Sequence, residues 1–210
     1  MNQLTISSII SNSIQIGLKN FVSIIGAVIL WLITIWIPYI NVGTTIALIG
    51  MVVAISKGEI ISPTEIFDSK YRRNMGEFFL LIAFLSFGIT AGYLFVIIPG
   101  IVISIAWGQS IYLLIDKNMS PTEAISVSNK LTYGKKWTIF LGNLILSIVV
   151  IVAIIIITAI FSIISDGLAT IIAIIGYIGL LVIMMAASAY IYGELSKELE
   201  KPVAQIQVDS

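Results

Sequence analysis

Three long stretches of the chain are almost free of charged side chains. They cover residues 20–56, 78–115 and 137–193, and the only charge inside them is Asp166. A single helix needs about 20 apolar residues to cross a bilayer. Each stretch is long enough for two such helices, so the pattern predicts six.

Turn-forming residues divide each stretch near its middle. The groups are Ile-Pro-Tyr-Ile-Asn-Val-Gly at 37–43, Ile-Pro-Gly at 98–100 and Ser-Asp-Gly at 165–167. Proline, glycine and asparagine in such clusters mark turns between helices. We therefore expect an all-α integral membrane protein whose six transmembrane helices form three hairpins.

The charges fix an orientation for this arrangement. All 11 basic residues then lie on one side of the bilayer, and the opposite side carries only Asp166. Basic residues favour the cytoplasmic side of a membrane. The sequence thus predicts a multi-pass protein of the cell (cytoplasmic) membrane with both termini in the cytoplasm.

The tetrapeptide Ser-Pro-Thr-Glu occurs twice, at 62–65 and at 120–123. Serine at the N-cap, proline at the first helical position and glutamate at the third form a capping box. Each copy should therefore start a short amphipathic helix, at about 63–74 and 121–133, lying in the membrane interface. The expected caps are Ser62, Glu65, Ser120 and Glu123.

A weaker third copy of the repeated segment precedes the first hairpin: Ser11, Asn12, Gly17 and Lys19 match Ser128, Asn129, Gly134 and Lys136. Glycines recur at Gly17, Gly76 and Gly134, each after a predicted amphipathic helix, which suggests a bend at each position. We expect three parallel repeat units, each an interfacial helix followed by a hairpin, within one membrane domain. Their approximate limits are 1–57, 58–116 and 117–196, and a short polar tail follows at 197–210.

Composition supports a membrane protein and narrows its chemistry. Hydrophobic residues make up 59% of the chain, charged residues 10%, and the mean hydropathy is +1.09, whereas soluble domains carry about 25% charged residues. The net charge of zero does not indicate a nucleic-acid partner. Cysteine and histidine are absent, which removes thiolate and imidazole chemistry. We expect no catalytic residue, no metal and no cofactor.

Two groups of polar residues are candidate sites. Gln109, Asn143 and Thr90 lie within apolar stretches. They either join helices by hydrogen bonds worth about 0.6–2 kcal/mol each or line a polar pathway. The second group consists of basic residues next to the spans, where anionic lipid headgroups would bind at about 1 kcal/mol per residue. These are Lys70, Arg72, Arg73, Lys130, Lys135 and Lys136.

Residues 95–142 carry a resemblance to a known family. The features are Pro99-Gly100 at a helix start, Asp116 before a turn, Ser-Pro-Thr-Glu-Ala at 120–124, Ser128, and Gly134 before Trp137. In these features the chain resembles a widespread, poorly characterised family of prokaryotic multi-span membrane proteins. That family includes the membrane domain of glycerophosphoryl diester phosphodiesterases. The resemblance implies a six-helix membrane domain and supplies no catalytic residue. No phosphodiesterase domain is recognisable, so that activity is not carried over.

Two functions remain open from the sequence. The first is a non-catalytic helper or scaffold whose cytoplasmic helices contact lipid headgroups or a membrane or cytoplasmic protein partner. The second is a passive channel or facilitator for an ion or small solute. The Gly88-x-x-x-Gly92 face would allow several copies to assemble into such a channel as a homo-oligomer. Enzymatic activity is not expected, because no set of catalytic side chains is evident.

Overall fold

Three helices begin at residues that cap the backbone or preset its geometry. The Thr5 side chain accepts a hydrogen bond from the Ser8 amide, and the Ser8 hydroxyl accepts one from the Thr5 amide. Pro38 and Pro121 each occupy the first position of a helix, where the missing N–H has no intrahelical partner to lose. The local sequence thus explains several helix boundaries directly.

The computed structural model describes residues 4–59 and 61–200. Those residues form nine α-helices and two short 3₁₀ helices, with no strand among them. In chain order the elements are α1 (Ile6–Lys19), α2 (Phe21–Thr34), α3 (Pro38–Ser56), two 3₁₀ helices (Pro63–Phe67 and Ser69–Arg72), α4 (Met75–Phe95), α5 (Ile97–Trp107), α6 (Ser110–Lys117), α7 (Pro121–Leu131), α8 (Lys136–Ser162) and α9 (Asp166–Ser196). The predicted all-α class is confirmed. Most of the predicted tail, 201–210, lies outside the described residues.

Five helical segments are long and apolar enough to cross a membrane: α3, α4, the α5–α6 pair over Ile97–Lys117, α8 and α9. The sixth predicted span is different. Its helix, α2, has only 14 residues, or about 21 Å, against about 30 Å of hydrocarbon. It reaches the required length only together with α1, and the two axes are bent by 73° at Asn20. A straight sixth span is therefore absent from the described residues.

The predicted turns lie close to the observed helix breaks but are displaced along the chain. The first break covers 35–37, and the second is at Val96. Pro38 then begins α3, and Pro99 lies in the first turn of α5. Proline tolerates the first helical turn, so each proline marks the start of the returning helix and not the loop itself.

The two Ser-Pro-Thr-Glu copies adopt different structures. At the second copy, Ser120 accepts a hydrogen bond from the Glu123 amide at 3.4 Å and α7 follows. At the first copy, the Ser62 hydroxyl bonds to the Thr64 hydroxyl at 2.9 Å and caps no backbone amide among the described residues. The expected capping role of Ser62 and Glu65 is therefore wrong.

The predicted helix over 63–74 is also wrong, because Asp68 interrupts it. Asp68 has an extended backbone with ψ of 132°, and its carboxylate accepts a hydrogen bond from the Lys70 amide. Aspartate competes for backbone amides in this way and favours turns over helix interiors. Two short 3₁₀ helices form on either side of it.

The glycines expected at the bends also differ in their roles. Gly134 has a positive φ of 74° in the turn between α7 and α8, as a bend requires. Gly17 and Gly76 lie inside α1 and α4. Gly17 packs against α9, where an added Cβ would make ordinary contacts of 3.5 Å with Ile183 and Ala186. The three-unit repeat stays a prediction from the sequence.

The Gly88-x-x-x-Gly92 motif packs one hairpin together. A Cβ at Gly88 would lie 2.0 Å from the Trp107 ring, and one at Gly92 would lie 2.8 Å from Ile103. Both contacts join α4 to α5 within the chain. This face is consequently occupied and is not open to a second copy.

The buried core surrounds the C-terminal half of α9. Tyr192 and Leu195 belong to one buried cluster, whereas Val182 and Ala189 belong to a second. The rest of the α8–α9 hairpin, over 148–181, exposes many large apolar side chains. Among them are Ile148, Val149, Val152, Ile155, Ile156, Ile160, Ile163, Ile171, Ile174, Ile175 and Ile178. Soluble proteins rarely expose an apolar surface of this extent.

Candidate functional site

The carboxylate of Asp116 links three helices at one end of the bundle. The side chain of Asp116, near the end of α6, is 2% exposed. Its Oδ1 pairs with Lys57, which follows α3, and its Oδ2 accepts a 2.6 Å hydrogen bond from the Tyr192 hydroxyl on α9. Lys117 lies 3.6 Å from the same oxygen. We call this part of the molecule the charged end.

Asn118 explains why α6 stops next to this carboxylate. Its backbone is left-handed, with φ of 50° and ψ of 37°, a conformation that asparagine tolerates at helix ends. The Asn118 side-chain oxygen accepts a 2.9 Å hydrogen bond from Nδ2 of Asn74. The end of α6 is thereby joined to the residue that precedes α4.

A cleft of about 250 Å³ adjoins this network. It lies between the second 3₁₀ helix, α3 and the end of α6. Its lining residues are Ile46, Lys70, Tyr71, Arg73, Asn74, Ile115 and Asn118. Two cations and two amides supply hydrogen-bond donors for phosphate or carboxylate oxygens, so the cleft is suited to an anion.

Lys70 is held in place by neighbouring carboxylates. Its Nζ pairs with Glu65 and lies 3.5 Å from Oδ2 of Asp68. The hydrogen bond to Glu65 raises the pKa of Lys70, and the hydrogen bond from the Lys70 amide lowers the pKa of Asp68. The Lys70 ammonium group therefore stays charged at neutral pH.

Of the two cations that line the cleft, Arg73 is the more available to a ligand. It is exposed, and its side chain makes no hydrogen bond or ion pair with another residue in 4–59 or 61–200. A guanidinium group offers five N–H donors in a planar arrangement that matches phosphate oxygens. An anion entering the cleft would meet this group without displacing an internal partner.

Tyr71 and Arg72 pack against α3 and hold the basic segment, residues 70–73, on that helix. The Tyr71 ring covers Gly50, where a Cβ would lie 2.3 Å from Cε1, and burial raises the pKa of the phenol. The aliphatic part of Arg72 covers Gly43, and its guanidinium group donates to the Phe67 carbonyl at 3.5 Å. Arg72 is thus directed differently from Lys70 and Arg73.

The other predicted headgroup residues are not among those that line the cleft. Lys135 pairs with Glu198, and Lys136 donates to Oδ1 of Asn129 at 3.0 Å. Lys130 is exposed on α7. Of the six predicted residues, the structure brings only Lys70 and Arg73 together in the cleft.

Gln109 lies at the break between α5 and α6. The Ser128 hydroxyl of α7 donates to the Ala106 carbonyl at 2.6 Å and accepts from the Gln109 amide at 3.2 Å. Thr132 lies 3.5 Å from the same carbonyl. These contacts satisfy backbone groups that the helix break releases. Oε1 of Gln109 is buried with no hydrogen-bond partner among the described residues.

The remaining two candidates for a polar pathway lie elsewhere. Asn143 is half-buried on α8, and Thr90 is exposed on α4. Within the described part of the chain, no hydrogen bond joins any two of Gln109, Asn143 and Thr90. Their predicted role in a channel therefore stays a prediction.

Sequence reasoning missed the group formed by Asp116, Lys57 and Tyr192. The sequence shows only that Asp116 lies before a turn and that Lys117 follows it directly. The available signal was a tyrosine near the end of an apolar helix, since a buried phenol usually needs a hydrogen-bond partner. The partner itself lies 76 residues away along the chain and has no local signature.

Comparisons with protein-family models, curated proteins and solved structures return no match to this chain. In the described ranges, no group of three or more His, Cys, Asp or Glu side chains is placed to hold a metal ion.

Proposed function

We propose that this chain is a non-catalytic multi-pass protein of the cell membrane that acts as a helper or scaffold and holds an anionic lipid headgroup. The observation that carries the proposal is the cleft lined by Lys70, Arg73, Asn74 and Asn118. It combines a fixed cation, an available cation and two amides at the charged end.

Charge asymmetry supports the membrane orientation. The ion pairs that involve Lys57, Lys117 and Lys135 all lie at the charged end, whereas Asp166 starts α9 at the opposite end of the long hairpin. The positive-inside rule places the charged end, and with it both termini, in the cytoplasm. The cytoplasmic leaflet is also the one rich in anionic lipids.

The walls of the cleft favour a lipid headgroup over a free anion. Ile46 and Ile115 line it beside the cations, so one side is apolar and the other carries donors. Its volume of about 250 Å³ is below the roughly 300–1,000 Å³ of sites that enclose whole ligands. A headgroup phosphate with its glycerol fits this arrangement, and the acyl chains stay outside.

A thermal-shift experiment on the full-length protein in detergent tests this proposal. Because a ligand that binds only the native state stabilises it, added phosphatidylglycerol should raise the unfolding temperature more than phosphatidylcholine. Arg73→Ala and Lys70→Ala should reduce that difference. Lys130→Ala removes the same charge outside the cleft and should preserve it. Equal shifts with both lipids, or equal losses in Arg73→Ala and Lys130→Ala, would contradict the proposal.

The helper role has a separate test in native membranes. Chemical crosslinking followed by purification should recover a stoichiometric protein partner, since a scaffold must contact what it supports. Arg73→Glu should weaken recovery if the lipid-bound cleft positions that partner. Absence of any stoichiometric partner would leave lipid binding intact and contradict the scaffold.

A further inference from the structure

The first helix runs along α9. Gly17 of α1 lies against Ile183 and Ala186 of α9. Ile9, two turns earlier on α1, belongs to the buried cluster that contains Ile191 and Leu195. From Ile9 to Gly17 the contacts move along α1 toward its C-terminus and by a similar distance along α9 toward its N-terminus. The two helices are therefore antiparallel, and α1 follows the axis of α9. With 31 residues, α9 is the longest apolar helix among the described residues.

The second helix leaves this direction sharply. The axes of α1 and α2 are bent by 73° at Asn20, whose side chain donates to the Ile16 carbonyl at 2.9 Å. If α9 crosses the bilayer, α2 therefore runs close to the membrane plane. Its length of 14 residues, about 21 Å, is too short for a crossing.

A charged segment lies across the hairpin formed by α2 and α3. Pro63 covers Gly26 of α2, and Arg72 covers Gly43 of α3. Gly43 lies about 13 residues, or about 20 Å, before Ser56 at the end of α3. If α3 crossed the membrane with Ser56 at the surface, Arg72 would lie deep in hydrocarbon, where an arginine is strongly disfavoured.

The exposed surfaces of the two helices agree with this placement. Between Ile40 and Ser56, α3 exposes no large apolar side chain, so its surface is covered by protein. In contrast, Val22, Ile29 and Ile33 of α2 and the adjoining Trp36 are all exposed. Their spacing of seven, four and three residues places them on one helix face. We call these four residues the α2 stripe.

We propose that the α2–α3 hairpin does not cross the membrane and that the α2 stripe lies in the headgroup–acyl boundary of the cytoplasmic leaflet. Lipid is the occupant favoured because the stripe ends at Trp36 and the exposed Tyr39 follows at the start of α3; both residue types prefer this boundary. The exposed Lys19, two residues before α2, can meet anionic headgroups at the same boundary. The protein then crosses the bilayer four times, through α4, Ile97–Lys117, α8 and α9.

Site-directed labelling can test this because the chain has no cysteine. Single variants Trp36→Cys, Ser165→Cys and Ser62→Cys are treated with a membrane-impermeant maleimide in intact and in permeabilised cells. Ser165→Cys marks the outer tip of the α8–α9 hairpin, and Ser62→Cys marks an exposed position directly before the first 3₁₀ helix. Labelling after denaturation confirms that each thiol is present and reactive.

We expect Ser165→Cys to be labelled in intact cells, and Trp36→Cys to stay at background there, as Ser62→Cys does. Labelling of Trp36→Cys in intact cells at the level of Ser165→Cys would overturn the proposal. If Ser62→Cys is labelled from outside and Ser165→Cys is not, the cytoplasmic orientation of the proposed function fails. The in-plane placement is then judged by whether positions 36 and 62 react from the same side.

Reconstitution distinguishes lipid from a protein partner. In nanodiscs that contain only the purified chain, Trp36→Cys should remain protected relative to Ser62→Cys. Full labelling there would contradict the lipid assignment, and protection in permeabilised cells together with full labelling in nanodiscs would indicate a covering protein. Tyr39→Cys, at a second exposed position of the same tip, provides the same readout if Trp36→Cys does not fold.

Discussion

The hydroxyl group of Tyr192 donates a 2.6 Å hydrogen bond to Oδ2 of Asp116. The Tyr192 residue is fully buried, and the Asp116 side chain is nearly so. Since Lys57 pairs with the other carboxylate oxygen, one side chain holds α3, α6 and α9 together beside the candidate cleft. The cleft therefore adjoins a point where three helices are linked through one carboxylate.

A double-mutant cycle should detect this link. Tyr192→Phe removes a hydrogen bond to a charged group and should lower the free energy of unfolding in detergent by about 1.5–3 kcal/mol. Asp116→Ala should cost at least as much, because it leaves the buried phenol without an acceptor. The double variant should cost less than the sum, with a coupling energy of about 0.5–3 kcal/mol. Strict additivity would contradict the link.

The Ser128 hydroxyl should stabilise the break between α5 and α6, within the span Ile97–Lys117. Ser128→Ala leaves the Ala106 carbonyl and the Gln109 amide without their shared partner. We expect a loss of about 1–3 kcal/mol in the free energy of unfolding. Ser126→Ala, exposed on the same helix, should change it by no more than about 0.5 kcal/mol. Similar effects of the two changes would argue against the bridging role.

Substitution of Gly50 by a larger residue should destabilise the protein, because the Tyr71 ring packs directly against this glycine. Gly50→Ala places a methyl group 2.3 Å from Cε1 of Tyr71 and should cost about 1–3 kcal/mol of unfolding free energy. Adding Tyr71→Ala should relieve that clash. Gly179→Ala is the matched control, since no atom lies within 4 Å of its Cβ position. It should gain up to about 1 kcal/mol from helix propensity.

A substitution at Gln109 can distinguish a structural role of this side chain from a role in a polar pathway. Its Oε1 atom is buried and unpaired among the described residues, and a buried polar group without a partner is unfavourable. Gln109→Met, of similar shape, should leave the free energy of unfolding unchanged or raise it by about 1 kcal/mol. A clear loss of stability, measured by chemical denaturation in detergent, would indicate that the amide has a polar ligand.

The pattern of apolar and turn residues predicted the helical class and some of the helix starts, because local side chains influence both. Pro38, Pro121 and Asp166 start helices where turn residues were recognised. The expected equality of the two Ser-Pro-Thr-Glu copies failed because the residues downstream of each copy differ. Asp68 captures the Lys70 amide after the first copy, whereas Ala124 continues into a buried helix face after the second.

The candidate site was predicted only in part, for a similar reason. Lys70 and Arg73 were identified because basic residues beside a span are visible in the sequence. The sequence does not show that Lys130, Lys135 and Lys136 lie apart from these two residues. Lys135, for example, pairs with Glu198, which is far away along the chain. Asp116 was missed because only the tertiary fold places Lys57 and Tyr192 around it.

Native mass spectrometry of the full-length protein tests the central claim most directly. The protein is released from micelles that contain equal amounts of phosphatidylglycerol and phosphatidylcholine, and the retained lipid is identified by mass. We predict that the wild-type chain and Lys130→Ala retain one phosphatidylglycerol molecule preferentially and that Arg73→Ala loses it. Equal retention of both lipids by the wild-type chain, or unchanged retention by Arg73→Ala, would contradict binding of an anionic headgroup in the cleft.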